Sequence, residues 1–189
     1  MLNKFVLYTF VLLFSFNSYS QKEDWLTGGE ILELAIKENK PIMANFTGSD
    51  WCGWCIRLDK AVFQTAEFKE WAKENVILLE LDFPKRKKLD DNLQAFNDQL
   101  QQQFQVRGFP TIWVFSVSKT KDGKYSINAN LSNPFQKMSY MASATDFIKK
   151  ASDIIEKMEE TYNQKYSKNK FDSEKHLNST ERKREKPQF

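Results

Sequence analysis

Both cysteines of this 189-residue chain lie in one short segment, Trp51-Cys52-Gly53-Trp54-Cys55. Two thiols separated by two residues can close into a small disulfide and open again, and only a thiolate attacks another disulfide. The N-terminal end of a helix lowers a thiol pKa through its unpaired amide groups and the positive end of its dipole. The spacing therefore predicts a redox-active pair, with Cys52 as the nucleophile at a helix start and Cys55 as the resolving thiol.

Other uses of two cysteines fit this chain less well. A structural disulfide would close a four-residue loop and contribute about 2 kcal/mol, against roughly 3 kcal/mol for fifteen residues, but it stays an alternative. Zinc needs four ligands, and the only other soft ligand is His176 in a distant polar segment. A c-type haem would need His after the second cysteine, where Ile56 stands. We therefore expect no metal and no other cofactor.

Residues 1–20 have the features of an export signal. Lys4 precedes a mostly apolar run from Phe5 to Phe16, and Ser18-Tyr19-Ser20 predicts cleavage before Gln21. The run is shorter than the roughly 20 apolar residues of a membrane span, although an uncleaved anchor is an alternative. We expect a soluble, periplasmic or otherwise extracytoplasmic protein, whose cysteine pair meets disulfides on other exported proteins.

The rest of the chain suits one domain over residues 21–160 and a charged tail over residues 161–189. The formal net charge is +3, and residues 161–189 hold eight Lys/Arg against four Asp/Glu. The body is therefore almost neutral, which gives no reason to expect nucleic-acid binding. The tail is poor in apolar residues and is predicted to be disordered, with a tether to anionic lipid or a partner as the alternative.

Hydrophobic patterning predicts the order α-β-α(α)-β-α-β-β-α. A capping box at residues 27–30 introduces the first helix, and Asp122-Gly123 marks a hairpin. The expected strands cover residues 42–46, 76–81, 111–117 and 125–131. Helices are expected after the capping box, from the cysteine motif, over residues 89–105 and from residue 143, with a further helical piece that carries Phe68, Trp71 and Ala72. The chain should form an α/β fold with a central mixed sheet of about four to five strands flanked by helices.

Three motifs together resemble the thioredoxin superfamily: Trp-Cys-x-x-Cys after a strand, a strand ending in Asp82, and Gly108-Phe109-Pro110-Thr111 before the hairpin. The resemblance covers about residues 25–160. It is closer to the exported thioredoxin-like proteins of bacterial envelopes, which carry Trp-Cys-Gly-Trp-Cys and an Asp-Phe-Pro segment. It implies a thioredoxin-like fold with a cis Pro110 beside the disulfide, a trans loop proline being the alternative. Phe109 would then pair with the substrate backbone like an added strand.

The resemblance also assigns roles around the cysteines. Gly53 would let another backbone approach, Trp54 would contact apolar protein segments, and Trp51 would flank the sulfurs and pack. Many thioredoxins keep a buried Asp on the strand before the motif, but Asn45 stands there and cannot accept a proton. Glu80 on the neighbouring strand is the predicted substitute proton relay, with water as the alternative.

The function implied is a thiol-disulfide oxidoreductase that reduces or isomerises disulfides of exported proteins. Its partners would be disulfide-containing or unfolded exported proteins and a membrane-bound electron donor, because the chain has no flavin or nicotinamide motif. We expect a monomer. A binding module or chaperone with a non-essential cysteine pair is the alternative. A peroxidase or glutathione-linked enzyme is a further hypothesis, which lacks support because the chain has no distant resolving cysteine.

Overall fold

The computed structural model describes residues 24–129 and 136–184, so the predicted signal at residues 1–20 lies outside the described residues. The elements follow the predicted order, with a short strand added at each end of the sheet-forming region. They are β1 Trp25–Leu26, α1 Ile31–Glu38, β2 Ile42–Thr47, α2 Gly53–Leu58 with a π-helical continuation Asp59–Phe63, α3 Ala66–Asn75, β3 Ile77–Asp82, α4 Asp91–Gln103, β4 Thr111–Lys119, β5 Tyr125–Asn128, β6 Lys137–Met138 and α5 Ala144–Arg184.

The strands form one mixed sheet in the order β1-β3-β2-β4-β5, and β6 pairs with β4. Strands β1 and β2 run parallel to β3, while β4 runs antiparallel to β2 and to β5. The register aligns Thr47 with Asp82, and Phe46 with Thr111. The ends of β2 and β3 and the start of β4 therefore meet at one edge of the sheet.

Helices cover both faces of the sheet, which explains why all six residues of β2 are buried. On one face, the helix that follows the cysteine pair packs with α3 and α5 against Met43, Leu78 and Val114. On the other face, α1 and α4 pack against a set that includes Phe46 and Phe115. The predicted α/β fold with a central mixed sheet is confirmed, and β1 and β6 escaped prediction because each has only two residues.

The start of α1 differs from the predicted capping box. The helix begins at Ile31, its N-cap is Glu30, and no side chain caps it. Gly28 adopts a φ of +84°, a left-handed conformation that turns the chain between Thr27 and the helix. The capping interpretation of Thr27 is therefore wrong.

The last helix extends to Arg184, so residues 161–184 are helical and not the disordered tail that the composition predicts. The sequence between Ala144 and Pro187 contains no proline or glycine and is rich in Lys and Glu, which favour helix. Among its residues up to 164, whose burial the structure describes, the buried side chains lie near its start and include Phe147, Ala151 and Ile154. Among the residues that the structure describes, no helix combines the length and apolar composition that crossing a bilayer requires.

Candidate active site

The turn from β2 into α2 places the cysteines at the sheet edge. The Gly48 carbonyl accepts the N–H of Cys52 at 2.9 Å and that of Trp51 at 3.3 Å. Ser49 donates from its backbone N–H and from Oγ to the Asp82 carboxylate, at 2.8 and 2.7 Å. The turn is thereby fixed to the end of β3, which runs beside β2.

Cys52 and Cys55 are joined by a disulfide. Cys52 is the N-cap of α2, and its Sγ accepts the backbone N–H of Cys55 at 3.2 Å. A sulfur that accepts an amide hydrogen bond at a helix start is stabilised when it carries negative charge. Both residues are buried, with 6% of Cys52 and 5% of Cys55 exposed. An attacking sulfur must therefore approach along a defined path.

The segments around the disulfide leave one exposed side. Gly53 is exposed, and a Cβ built on it meets no atom within 4 Å. Trp54 is 54% exposed, although its ring contacts Tyr140 at 4.9 Å and the Arg57 guanidinium at 4.8 Å. The open space at Gly53 and the exposed ring of Trp54 are compatible with a polypeptide lying across α2.

Trp51 connects three segments of the site. Its indole Nε1 donates to the Phe83 carbonyl at 2.8 Å, and its ring meets the Phe109 ring edge-on at 5.9 Å. The Lys85 ammonium lies 3.9 Å from the centre of the same ring. With 38% of its surface exposed, Trp51 both packs and presents an edge to solvent.

The loop before β4 reaches the same region. The Phe109–Pro110 peptide bond is cis, and Pro110 is buried. Phe109 is half-buried and stacks on Phe83 at 5.1 Å. The structure thus brings the Gly-Phe-Pro-Thr motif next to the tryptophan that precedes Cys52, across more than fifty residues of sequence.

Asn45 and Glu80 lie opposite each other on β2 and β3. In-register residues of neighbouring strands share a face of the sheet, and so do residues two apart on one strand. Asn45 and Glu80 therefore share a face with Met43 and Leu78, which pack under the cysteine helix. Asn45 is buried, and its Oδ1 has no hydrogen-bond partner. Glu80 is half-buried. The geometry puts Glu80 on the sheet face that carries the cysteine helix, and its role as a proton relay stays a prediction.

Sequence reasoning missed a second carboxylate in the site, Asp50. Its carboxylate accepts the backbone N–H of Lys85 at 3.0 Å and that of Arg86 at 2.7 Å. The hydrogen bond from Lys85 is the main cause that holds the pKa of Asp50 below its usual value. The acidic residue before Trp-Cys and the basic segment after Asp-Phe-Pro were visible signals, but nothing in the sequence shows that they meet.

The described part of the chain shows no metal centre. Nowhere in it do three or more His, Cys, Asp or Glu side chains converge in a way that could hold an ion.

Comparisons with known proteins agree with this geometry. A family model described as a thioredoxin-like domain matches residues 29–126, a little over half of the chain. The disulfide bond reductase DsbH of Chlamydia pneumoniae is 38% identical over 88 residues, covering 47% of this chain and 53% of that protein. The thioredoxin-related protein DsbJ of the same organism is 25% identical over 87 residues, covering 46% and 25% of the two chains.

A solved structure of a DsbH oxidoreductase has the same fold. It matches with a TM-score of 0.57 and 28% sequence identity, covering 70% of this chain and 83% of that one. The chain spans about half the length of the curated DsbH and a quarter of DsbJ. The family model covers the part of the chain that contains the cysteine pair.

Proposed function

This chain belongs to the family of thioredoxin-like domains, and from that premise we propose that it is a protein thiol-disulfide oxidoreductase, acting as a reductase or isomerase. The observation that carries the proposal is the Cys52–Cys55 disulfide at the start of α2, with the Cys52 sulfur receiving the Cys55 amide. Similarity to a protein named as a disulfide bond reductase supports the reducing direction.

The proposed reaction moves two electrons between sulfurs. In the reduced protein the Cys52 thiolate attacks one sulfur of a substrate disulfide, which forms a mixed disulfide and releases one substrate thiolate. Cys55, as thiolate, then attacks the Cys52 sulfur and releases the second substrate thiol. The substrate is reduced, and the protein is left with the intramolecular disulfide that the structure contains. An external dithiol must reduce that bond before the next cycle.

Five residues are proposed to contact the substrate. Phe109 and Pro110 would present the backbone edge beside the disulfide, because β4 begins directly after them. Gly53 would admit the incoming chain, and Trp51 and Trp54 would offer aromatic surface on either side. The exposure of Trp54 and the open space at Gly53 support these assignments.

Glu80 is proposed to relay the proton of Cys55 when the mixed disulfide is resolved. It lies on the sheet face that carries the cysteine helix, opposite an asparagine that cannot titrate. Glu80→Gln should shift the pH-rate profile of disulfide reduction without changing the fold. An unchanged profile would assign the role to water instead.

We further propose that the protein works outside the cytoplasm as a monomer, with residues 1–20 as its export signal. Its substrates would be disulfide-containing or unfolded exported proteins, and a membrane-bound donor would supply electrons. The names of its curated relatives, a disulfide reductase and a thioredoxin-related protein, support redox partners of this class. N-terminal sequencing of the protein secreted by an expressing bacterium tests the cleavage before Gln21.

Turnover of a peptide with one internal disulfide, with dithiothreitol as donor, tests the activity. Cys52→Ser should abolish reduction, while Cys55→Ser should accumulate a mixed disulfide with the peptide. Ser126→Ala, on the edge strand β5, serves as the control and should keep wild-type rates. If Cys52→Ser still binds unfolded polypeptide and the wild type reduces nothing, the chain is a binding module and the proposal fails.

A further inference from the structure

A strongly basic loop follows β3 next to the cysteine motif. Residues 84–88, here named the basic loop, contain Lys85, Arg86, Lys87 and Lys88, and all four side chains are exposed. They line a cleft of about 390 Å³ together with the start of α4. No step of the proposed reaction uses these four cations.

The basic loop is held in a fixed position beside the disulfide. Asp50 accepts the backbone N–H groups of Lys85 and Arg86, and the Lys85 ammonium lies over the ring of Trp51. Trp51 is the residue before Cys52 and bonds to the Phe83 carbonyl just before the loop. The backbone that carries these cations is therefore fixed relative to the turn that precedes Cys52.

The carboxylates near the basic loop are already engaged. Asp50 accepts the two backbone N–H groups, and Asp82 is buried with bonds to Ser49 and an ion pair to Lys87 at 3.1 Å. Asp91 pairs with Lys88 at 2.8 Å at the far end of the loop. Lys85 and Arg86, at the end nearest Trp51, are exposed and have no ion pair within 4 Å in the described part of the chain, although the charge of the Asp50 carboxylate offsets part of theirs.

Two more cations lie around the disulfide. Arg57 extends over Trp54 on the side of α2, and Arg107 is exposed just before Phe109 and Pro110. A polypeptide that brings its disulfide to Cys52 would meet these cations at the rim of the site. Charges at such a rim act mainly on the rate of encounter and on the choice of partner.

We propose that the basic loop docks an acidic segment of the protein whose disulfide is exchanged at Cys52. This proposal depends on the proposed function, because it concerns the substrate of that same reaction. The occupant is an acidic polypeptide, since the loop is tied by hydrogen bonds to the cysteine motif, where a polypeptide has to bind. The basic loop thereby selects among substrates whose disulfides are chemically alike.

Two peptides of equal length, each with one internal disulfide, test the proposal. One carries four Asp/Glu residues flanking the disulfide, and the other carries Ser and Gln at those positions. At low salt the wild type should reduce the acidic peptide with a kcat/KM about fivefold higher. This ratio should fall towards one in molar salt, where the Debye length is roughly 3 Å.

Arg86→Glu/Lys88→Glu should abolish or invert the preference while leaving turnover of the neutral peptide within about twofold. The matched control is Lys149→Glu/Lys150→Glu, which changes the net charge equally on exposed positions of α5 and should keep the wild-type ratio. If the glutamate variant does not fold, Arg86→Gln/Lys88→Gln replaces it. The salt dependence of the wild-type preference is a second test that needs no variant.

The outcomes separate the two proposals. Equal kcat/KM for both peptides at low salt overturns the docking proposal and leaves the oxidoreductase intact, whereas no reduction of either peptide overturns both. An equal loss of preference in the α5 control assigns the effect to overall charge and also overturns docking at the loop. Binding to phosphatidylglycerol vesicles tests a lipid surface as the other occupant. If this binding requires the loop cations while the two peptides are reduced with equal kcat/KM, the docking proposal is overturned.

Discussion

Replacement of Gly48 by alanine should damage the site through Trp51. A Cβ at position 48 would lie 2.6 Å from both Cε2 and Nε1 of the Trp51 ring and 2.9 Å from Cζ2. Ordinary carbon contacts are near 3.5–4.0 Å, so the ring must move by about 1 Å or rotate away. The backbone at Gly48 cannot yield easily, because its carbonyl accepts the amides of Trp51 and Cys52.

The expected cost follows from what the ring would lose. Its hydrogen bond to the Phe83 carbonyl contributes about 1 kcal/mol. The cation–π contact with Lys85 adds about 0.5 kcal/mol at an exposed site, and the edge contact with Phe109 adds about 0.5 kcal/mol. Gly48→Ala should therefore lower the free energy of unfolding by roughly 2 kcal/mol.

Urea unfolding followed by circular dichroism measures this cost, and a double-mutant cycle identifies its origin. Trp51→Ala removes the ring, so Gly48→Ala/Trp51→Ala should be almost as stable as Trp51→Ala alone. Gly108→Ala is the control, because a Cβ there meets nothing within 4 Å and should change stability by less than about 0.5 kcal/mol. Additive effects in the cycle, or equal tolerance at both glycines, would refute the steric explanation.

Three further perturbations address charge, core and substrate surface. The pKa of Asp50 is held below 3.8, chiefly by the Lys85 backbone N–H, so its stabilisation is complete above that pH and disappears as the pH falls through the lowered pKa. Asp50→Asn should lower the urea midpoint at neutral pH, and a gap to wild type that does not narrow as the pH falls progressively below 3.8 would contradict this. Phe68→Ala should lower the free energy of unfolding by about 3–5 kcal/mol in the same assay, because Phe68 is fully buried. The control Tyr162→Ala, at a position that is 69% exposed, should lower it by less than about 0.5 kcal/mol. Trp54→Ser should leave the free energy of unfolding almost unchanged. It should raise the KM for a disulfide peptide about fivefold, which corresponds to a loss of roughly 1 kcal/mol of binding free energy. An unchanged KM would show that Trp54 does not contact the substrate.

Much of the fold was predictable because its strands and helices have strong local signals. The apolar runs of β2, β3 and β4 and the helical spacing of α4 were predicted close to their observed bounds, and so was the start of α5. The errors occurred where the local signal was weak or misleading. Thr27 fits a capping box but precedes a left-handed Gly28, and the segment 161–184 is polar yet contains no proline or glycine that would end the helix.

Part of the candidate site was also predictable from local motifs, and part was not. The positions of Cys52, Cys55 and Pro110 followed from motifs, and the disulfide and the cis peptide bond are present in the structure. The attachment of the basic loop to the cysteine turn was not predictable, because Asp50 and Lys85 are 35 residues apart. Their meeting depends on β2 and β3 being parallel neighbours that end at the same edge.

The amino-acid sequence by itself determined the redox pair, the helix that it begins, and the strands that surround it, because these depend on residue type and short-range spacing. Only the tertiary structure decided that Trp51 bonds to the Phe83 carbonyl and meets the Phe109 ring, and that the basic loop is tied to the turn before Cys52. Such contacts arise from strand order and register. Strand order is a property of the whole sheet, since each strand's neighbours are chosen by the burial of both faces together.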